Sequence, residues 1–269
     1  MRAVTKKQAP TREGAEPGDG GDAGGVRSVQ RAVDILALLT EARPVVSIRE
    51  MVDSTGLAKT TVIRLVQTLE QAGLLWATPK GYTAGPGLWR WAHLTRKAWE
   101  LPPETRQLMA ELAQRQRETV NLYIARDVYR VCVAQQESPQ PLRHVVQVGD
   151  ELPLWAGASA KVLLRDASPA LLQRVARSSP YGESHVDTLR TWIDDAVVDG
   201  YATSTGERES GLSAVAVPVA GRSHAAAAAL TLSGPTIRFT DERIAEFVDD
   251  LKRVAARISE RGFDHPLAA

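Results

Sequence analysis

Five polar side chains on one predicted helix have the chemistry needed to contact DNA. Lysine, arginine, threonine and glutamine bind phosphates and base edges, and here they fall at Lys59, Thr60, Thr61, Arg64 and Gln67. An apolar stripe with i, i+3, i+4 and i+7 spacing occupies the opposite side of the same helix: Val62, Leu65, Val66 and Leu69. The pattern predicts a recognition helix over residues 58–72 whose polar face enters the major groove.

The flanking segments predict the module that holds this helix. Ser47 and Glu50 form a capping box at the start of a second helix, and Gly56 supplies the turn after it. The other predicted elements are a helix over 28–40, the second helix over 48–54 and a β-hairpin over 74–83. This order is typical of a winged helix-turn-helix, which we place at residues 26–85. Further DNA contacts are expected from Arg27, Ser28, Arg31, Ser47 and Lys80.

Composition narrows the class of protein. The 269 residues suggest about two domains. Residues 27–97 contain ten Lys/Arg and five Asp/Glu, which gives a net charge of +5, and the chain that follows is mildly acidic. A basic head joined to an acidic body suits a module that faces phosphates and a body that binds something else. No apolar run approaches the roughly 20 residues that cross a membrane.

The N-terminal segment and the cysteine content indicate a cytoplasmic protein. Residues 1–25 lack an apolar core, so they predict a disordered tail rather than a secretory signal. Cys132 is the only cysteine, which excludes an internal disulfide and suits a reducing compartment. It lies between two valines in an apolar strand, where it is expected to be a core residue rather than a catalytic one.

A tryptophan-rich helix is expected to link the two domains over residues 86–102. Trp89, Trp91 and Trp99 are too many large apolar side chains for a solvated connector. They pack either against another subunit or the second domain, or over the core of their own domain. The sequence leaves both arrangements open.

The second domain, residues 103–263, has the pattern of an α+β fold, with a short tail at 264–269. Helices are predicted over 104–116, 157–164, 169–177 and 185–198, and a last helix is capped by Thr240. Strands are predicted over 120–126, 128–135, 142–148, 200–204, 212–219 and 225–233. Adjacent strands joined by short turns imply antiparallel pairs and an α+β sensor domain.

Two other classes of function remain as alternatives. An enzyme has weak support, because the five histidines show no metal-binding spacing and neither phosphate-loop nor dinucleotide motifs occur. Glu207 and Glu209 form a possible carboxylate pair, but a solvated turn is the simpler interpretation. A winged-helix module that binds protein instead of DNA is harder to exclude. We predict no catalytic residue, metal or cofactor.

Five motifs in order resemble the IclR family of bacterial transcription regulators: residues 28–39, 56–75, 148–164, 199–219 and 230–244. The resemblance extends from Arg27 to about Gly262. It implies an N-terminal winged helix-turn-helix, a linker helix that dimerises and a GAF-like C-terminal effector-binding domain. It also implies a homodimer or dimer of dimers on a palindromic operator of double-stranded DNA. We expect a repressor.

The resemblance also implies the lining of an effector pocket: Leu152, Trp155, Ala158, Ser159, Ser204, Leu212, Ala214, Thr231 and Ser233. Ala158 and Ser159 start a predicted helix, whose free N–H groups favour a carboxylate, so an organic or aromatic acid is the expected effector. Trp155 and Ser204 depart from common family residues. The Trp155 ring is expected either to form an apolar wall of the pocket or to turn outward, and the sequence does not decide which.

Overall fold

Two compact units make up the chain, and they meet in sequence between Leu94 and Thr95. The computed structural model describes residues 26–221, 226–260 and 263, without the side chains of residues 97 and 98. The predicted tails at 1–25 and 264–269, and residue 225 of the strand predicted over 225–233, lie outside the described residues.

The first unit is a winged helix-turn-helix. Its elements are α1 (Arg27–Leu36), α2 (Ile48–Thr55), α3 (Lys59–Gln71), β1 (Leu75–Thr78), β2 (Gly81–Ala84) and the start of α4 (Gly87–Ala98). The predicted capping box is present, because the Ser47 hydroxyl accepts from the Glu50 N–H and the Glu50 carboxylate accepts from the Ser47 N–H. Gly56 ends α2 with a φ of 66°, which glycine adopts without a steric penalty. The core consists of Ile35, Val46, Met51, Val62, Val66, Leu69 and Leu75.

The first helix ends earlier than its apolar pattern predicts. α1 stops at Leu36, four residues before the expected end at Thr40. Thr40 and Arg43 exchange backbone hydrogen bonds of 3.1 and 3.0 Å, and this tight turn competes with further helical bonds. The turn brings Val46 into a short bridge with Tyr82 of the hairpin. The hairpin is thereby tied to the chain segment that enters α2.

The second unit is an antiparallel sheet between two layers of helices. The strands are β3 (Thr119–Arg126), β4 (Tyr129–Gln136), β5 (Glu151–Pro153), β6 (Ala202–Thr205), β7 (Leu212–Ala220) and β8 (Ala226–Pro235). The helices are α5 (Pro103–Gln116), α6 (Ala158–Leu163), α7 (Pro169–Arg177), α8 (His185–Asp199) and α9 (Asp241–Ser259). The strand order is β5-β4-β3-β8-β7-β6, and each neighbouring pair is antiparallel. This confirms the predicted α+β class.

The alternation of side chains along each strand separates two faces of the sheet. One face carries aliphatic residues such as Val120, Leu122 and Leu230, which pack with α5 and α9. The other face carries small and polar residues and is covered by α6, α7 and α8. Cys132 is fully buried on this second face, as predicted from its apolar neighbours. The polar residues of the second face provide the floor of a cavity.

One predicted strand is wrong. Residues 142–148 form an irregular segment, and the short edge strand β5 pairs with β4 instead. Side chains replace the expected ladder bonds. The Gln135 amide oxygen accepts from the Val146 N–H at 2.7 Å, and the Thr119 hydroxyl donates to the His144 carbonyl at 2.7 Å. These bonds hold His144 beside the sheet face.

Candidate DNA-binding and effector sites

The outer face of α3 is polar and accessible. Lys59, Thr60, Arg64 and Gln67 are exposed and Thr61 is half-buried, while the apolar residues of the helix face the core. Within the described part of the chain, the Lys59 amine and the Arg64 guanidinium have no hydrogen-bond or ion-pair partner. Both cations are therefore available to a phosphate or a base edge.

The remaining predicted DNA contacts divide into accessible groups and one occupied group. Lys80 is exposed at the hairpin turn, where its N–H donates to the Thr78 hydroxyl at 3.3 Å. Three further candidates are exposed at the start of α1: Arg27, Ser28 and Arg31. The Ser47 hydroxyl instead donates to the Glu50 carboxylate at 2.7 Å, so its own helix cap already uses it.

A small cavity lies on the polar face of the second-unit sheet. Its volume is about 40 Å³, space for one or two water molecules. Eight of the nine predicted effector residues line it: Leu152, Ala158, Ser159, Ser204, Leu212, Ala214, Thr231 and Ser233. Seven further residues complete the lining: Tyr123, Arg130, His144, Gly157, Glu207, Arg208 and Glu209. The Thr231 hydroxyl is buried and has no hydrogen-bond partner among the described residues.

Trp155 does not line this cavity. Its carbonyl oxygen accepts from His185 Nε2 at 2.8 Å, and its ring meets the Tyr181 ring edge-on with centroids 6.2 Å apart. The side chain is partly buried against the core on the helix side of the sheet. Its position corresponds to the packing alternative rather than to a wall of the cavity.

Arg130 is a buried cation at the base of the cavity. It is 4% exposed, and its guanidinium donates to the Pro153 carbonyl and, at 2.8 Å, to the Ala156 carbonyl. Its Nε has no partner, and no described carboxylate lies within ion-pairing distance. Burial lowers the pKa of Arg130 to about 10, so the group stays charged at neutral pH. A buried charge without a counter-ion is costly and is usually compensated by a ligand or a partner.

Glu207 occupies a polar position at the edge of the same cavity. Its carboxylate accepts from the Gly157 N–H at 2.8 Å and from Lys161 Nζ at 2.6 Å. The side chains of this ion pair are 19% and 11% exposed. The interpretation of this residue as part of a solvated turn was therefore wrong. Glu209, by contrast, is mostly exposed and pairs with Arg208 at 3.1 Å.

A chain of hydrogen bonds leads from Arg208 into the core. Arg208 Nη2 lies 3.4 Å from His144 Nε2, and His144 Nδ1 lies 3.1 Å from the Ser233 hydroxyl. That hydroxyl donates to the buried Asn121 amide oxygen at 3.3 Å. Ser233 must then accept from His144 Nδ1–H, which leaves the Nε2 lone pair facing Arg208. Burial and the charge of Arg208 lower the pKa of His144 to about 4.

Two family models match the chain and cover most of it. Residues 28–78 match the IclR helix-turn-helix domain, and residues 95–260 match the C-terminal domain of bacterial transcriptional regulator IclR. The chain belongs to the IclR family. It is a DNA-binding transcriptional regulator.

Known proteins resemble this IclR-family regulator over nearly their whole length. The regulator KdgR of Escherichia coli is 31% identical over 90% of this chain and 95% of its own. A solved IclR-family regulator from Rhodococcus sp. is 41% identical, with a TM-score of 0.61 over 93% of this chain and 98% of that chain. A solved IclR homologue from Microbacterium hydrocarbonoxydans, in complex with 4-hydroxybenzoate, has a TM-score of 0.68 at 21% identity. The match covers 87% of this chain and 98% of the homologue, and it shows that the two proteins share a fold.

Two further observations concern what this IclR-family chain contains. No helix within the described residues is long and apolar enough to cross a membrane. The described histidine, cysteine, aspartate and glutamate side chains form no group of three or more placed to hold a metal ion.

Proposed function

We propose that α3 reads the operator and that a small carboxylic acid in the cavity controls this binding. In this proposal Thr60, Thr61, Arg64 and Gln67 lie in the major groove, and Lys59, Lys80 and the start of α1 contact phosphates. The polar outer face of α3 and the free cations on it support this assignment. Because the protein acts on chromosomal DNA, we place it in the cytoplasm, and it works as a regulator rather than as an enzyme.

The burial of Arg130 without a carboxylate partner carries the effector assignment. Three cations face the cavity region, but Lys161 is neutralised by Glu207 and Arg208 by Glu209. His144 is neutral at physiological pH, so Arg130 leaves an excess of one positive charge. A carboxylate balances this charge, whereas an amine adds to it. The 4-hydroxybenzoate of the Microbacterium homologue belongs to this chemical class.

Regulation requires the effector to bind two states of the protein with different affinity. By linkage, the operator must change effector affinity by the same factor as the effector changes operator affinity. That the effector-free protein represses transcription stays a prediction. Footprinting tests it, because a repressor site lies across the promoter and an activator site lies upstream of it. We also propose that α4 forms a dimer interface, because Trp89 and Trp91 are 80% and 53% exposed on it.

Titration calorimetry with benzoate, 4-hydroxybenzoate and short aliphatic acids tests the effector assignment in the full-length protein. The Arg130→Gln variant is expected to bind the best of these acids at least about 30-fold more weakly, which corresponds to about 2 kcal/mol. The same acid should shift the affinity of the wild-type protein for a DNA site selected from a random pool.

Arg126→Gln is the matched control, because Arg126 lies on the neighbouring strand and pairs with Glu151 at the surface. It should bind the acid like the wild type. If Arg130→Gln fails to fold, Arg130→Lys is used in its place, because lysine keeps the positive charge. Folded Arg130 variants with wild-type acid affinity would place the effector elsewhere.

A further inference from the structure

The loop between β6 and β7 places a carboxylate of the protein itself at the edge of the cavity. Residues 206–211 connect the two strands, and Glu207 from this loop contacts both the Gly157 N–H and Lys161. These two donors are separated from Glu207 by 50 and 46 positions in sequence. The contact is therefore a tertiary one and holds the loop against the start of α6.

Lys161 is held in place without Glu207. Its amine also donates to the Thr203 carbonyl at 2.8 Å, and it lies 4.2 Å from the centroid of the Trp192 ring. A cation over an aromatic face is stabilised electrostatically. If the Glu207 carboxylate leaves, a pre-positioned and partly dehydrated cation remains, and it recognises a carboxylate from any source.

The cavity is small in the conformation seen here. Its 40 Å³ compares with roughly 150 Å³ for a cavity that holds one benzene molecule in another protein. An aromatic acid therefore fits only after a wall moves. The loop supplies three wall residues, Glu207, Arg208 and Glu209. It is flanked by Gly206 and Gly211, whose φ angles of 66° and 82° and open surroundings suit a hinge.

We infer that Glu207 is an internal competitor of the effector. Its carboxylate occupies the position at Lys161 that an effector carboxylate takes, and the 206–211 loop closes the cavity while it does so. An incoming acid replaces Glu207 at Lys161 and opens the loop, with its charge balanced by Lys161 and Arg130. This inference rests on the proposed effector site and adds the step by which the site is kept closed.

Chemical rescue of a Glu207→Ala variant tests the exchange. The variant loses the partner of a buried lysine, so its melting temperature should fall. Acetate, which replaces the missing carboxylate, should raise the melting temperature of the variant by several degrees more than that of the wild type. Glu209→Ala removes a mostly exposed carboxylate from the same loop and serves as the control, for which no acetate-specific rise is expected.

Glu207→Gln keeps the size of the side chain and tests the competition directly. If the closed loop outnumbers the open loop by about ten to one, removing the competing charge tightens the binding of benzoate or 4-hydroxybenzoate by about tenfold. Calorimetry on the full-length protein measures this change. Equal or weaker acid binding by Glu207→Gln, or an acetate effect that is the same in wild type and Glu207→Ala, would overturn the inference.

The two proposals fail separately. If Arg130→Gln abolishes acid binding while Glu207→Gln and Glu207→Ala behave like the wild type, the effector site stands and the internal competitor does not. If acetate rescues Glu207→Ala but no acid changes DNA affinity, the exchange at Lys161 stands and effector control through this cavity does not.

Discussion

The partly buried imidazole of His144 should make the protein less stable as the pH falls. In the unfolded chain this group takes up a proton near its ordinary pKa of 6.5, whereas in the folded protein its pKa is about 4. Between these values the unfolded state binds more protons than the folded state, so the free energy of unfolding decreases with decreasing pH. The shift corresponds to about 3 kcal/mol, lost progressively from about pH 6.5 to about pH 4.

The structural origin of this effect is the environment of the imidazole. Burial is the largest cause of the lowered pKa, and the charge of Arg208 is the second. Arg130 lowers the pKa further, and Glu209 raises it in part. A proton on Nε2 would also break the acceptor role that this nitrogen has toward Arg208. Protonation thus places two cations side by side at the cavity wall.

A His144→Gln variant isolates the contribution of this residue. The free energy of unfolding of wild type and variant is measured by urea denaturation at several pH values between about 7 and about 4. Titrating groups common to both proteins cancel in the difference, which should change by about 3 kcal/mol in favour of the variant as the pH falls. Parallel curves for the two proteins would refute the assignment of a neutral, dehydrated imidazole.

Two further predictions concern DNA binding and assembly. Arg64→Ala should weaken operator binding by about 1–3 kcal/mol and relax base preference, while Lys80→Ala should weaken binding to all DNA and reduce the salt slope. Fluorescence anisotropy of labelled DNA measures the affinities of both variants, and Arg190→Ala, which removes an exposed arginine elsewhere, is the control. An unchanged operator affinity in Arg64→Ala would contradict the proposed role of α3. The wild-type protein should sediment as a dimer or a larger oligomer. The Trp89→Ala variant should dissociate at a higher protein concentration than the control variant Ile237→Ala, which changes another exposed apolar residue. A wild-type monomer with intact DNA binding would exclude the α4 interface.

Local patterns were sufficient to predict most of the fold. The capping box at Ser47 and the stripe on α3 depend on neighbours within one or two turns, and such patterns can be recognised in a single sequence. The prediction of a strand over residues 142–148 was wrong because the apolar residues of this segment have the pattern of an edge strand. Its backbone groups are instead satisfied by side chains of Gln135 and Thr119, which are distant in sequence. That kind of long-range contact leaves no local signal.

The charged half of the effector cavity could not be predicted for the same reason. Arg130 lies in an apolar strand, and its burial follows from the way β5 and the start of α6 enclose it with their carbonyl groups. Glu207 has the local sequence of a turn, and only the packing of its loop against α6 gives it a buried partner. Thr231 and Ser233 were expected in the pocket from the family resemblance, and they share a face of β8 because a strand has a fixed period of two.

The competitor proposed at Lys161 sets a requirement on the effector. A carboxylate tethered on a short loop acts at an effective concentration of about millimolar or higher, so a simple acid present below this level does not displace Glu207. The effector needs additional contacts beyond its carboxylate. Two buried groups in the cavity lack partners among the described residues, Arg130 Nε and the Thr231 hydroxyl. An acid that also carries a hydroxyl or carbonyl group can satisfy them, whereas an unsubstituted acid leaves their desolvation uncompensated. Selectivity for substituted acids then follows from these two buried groups.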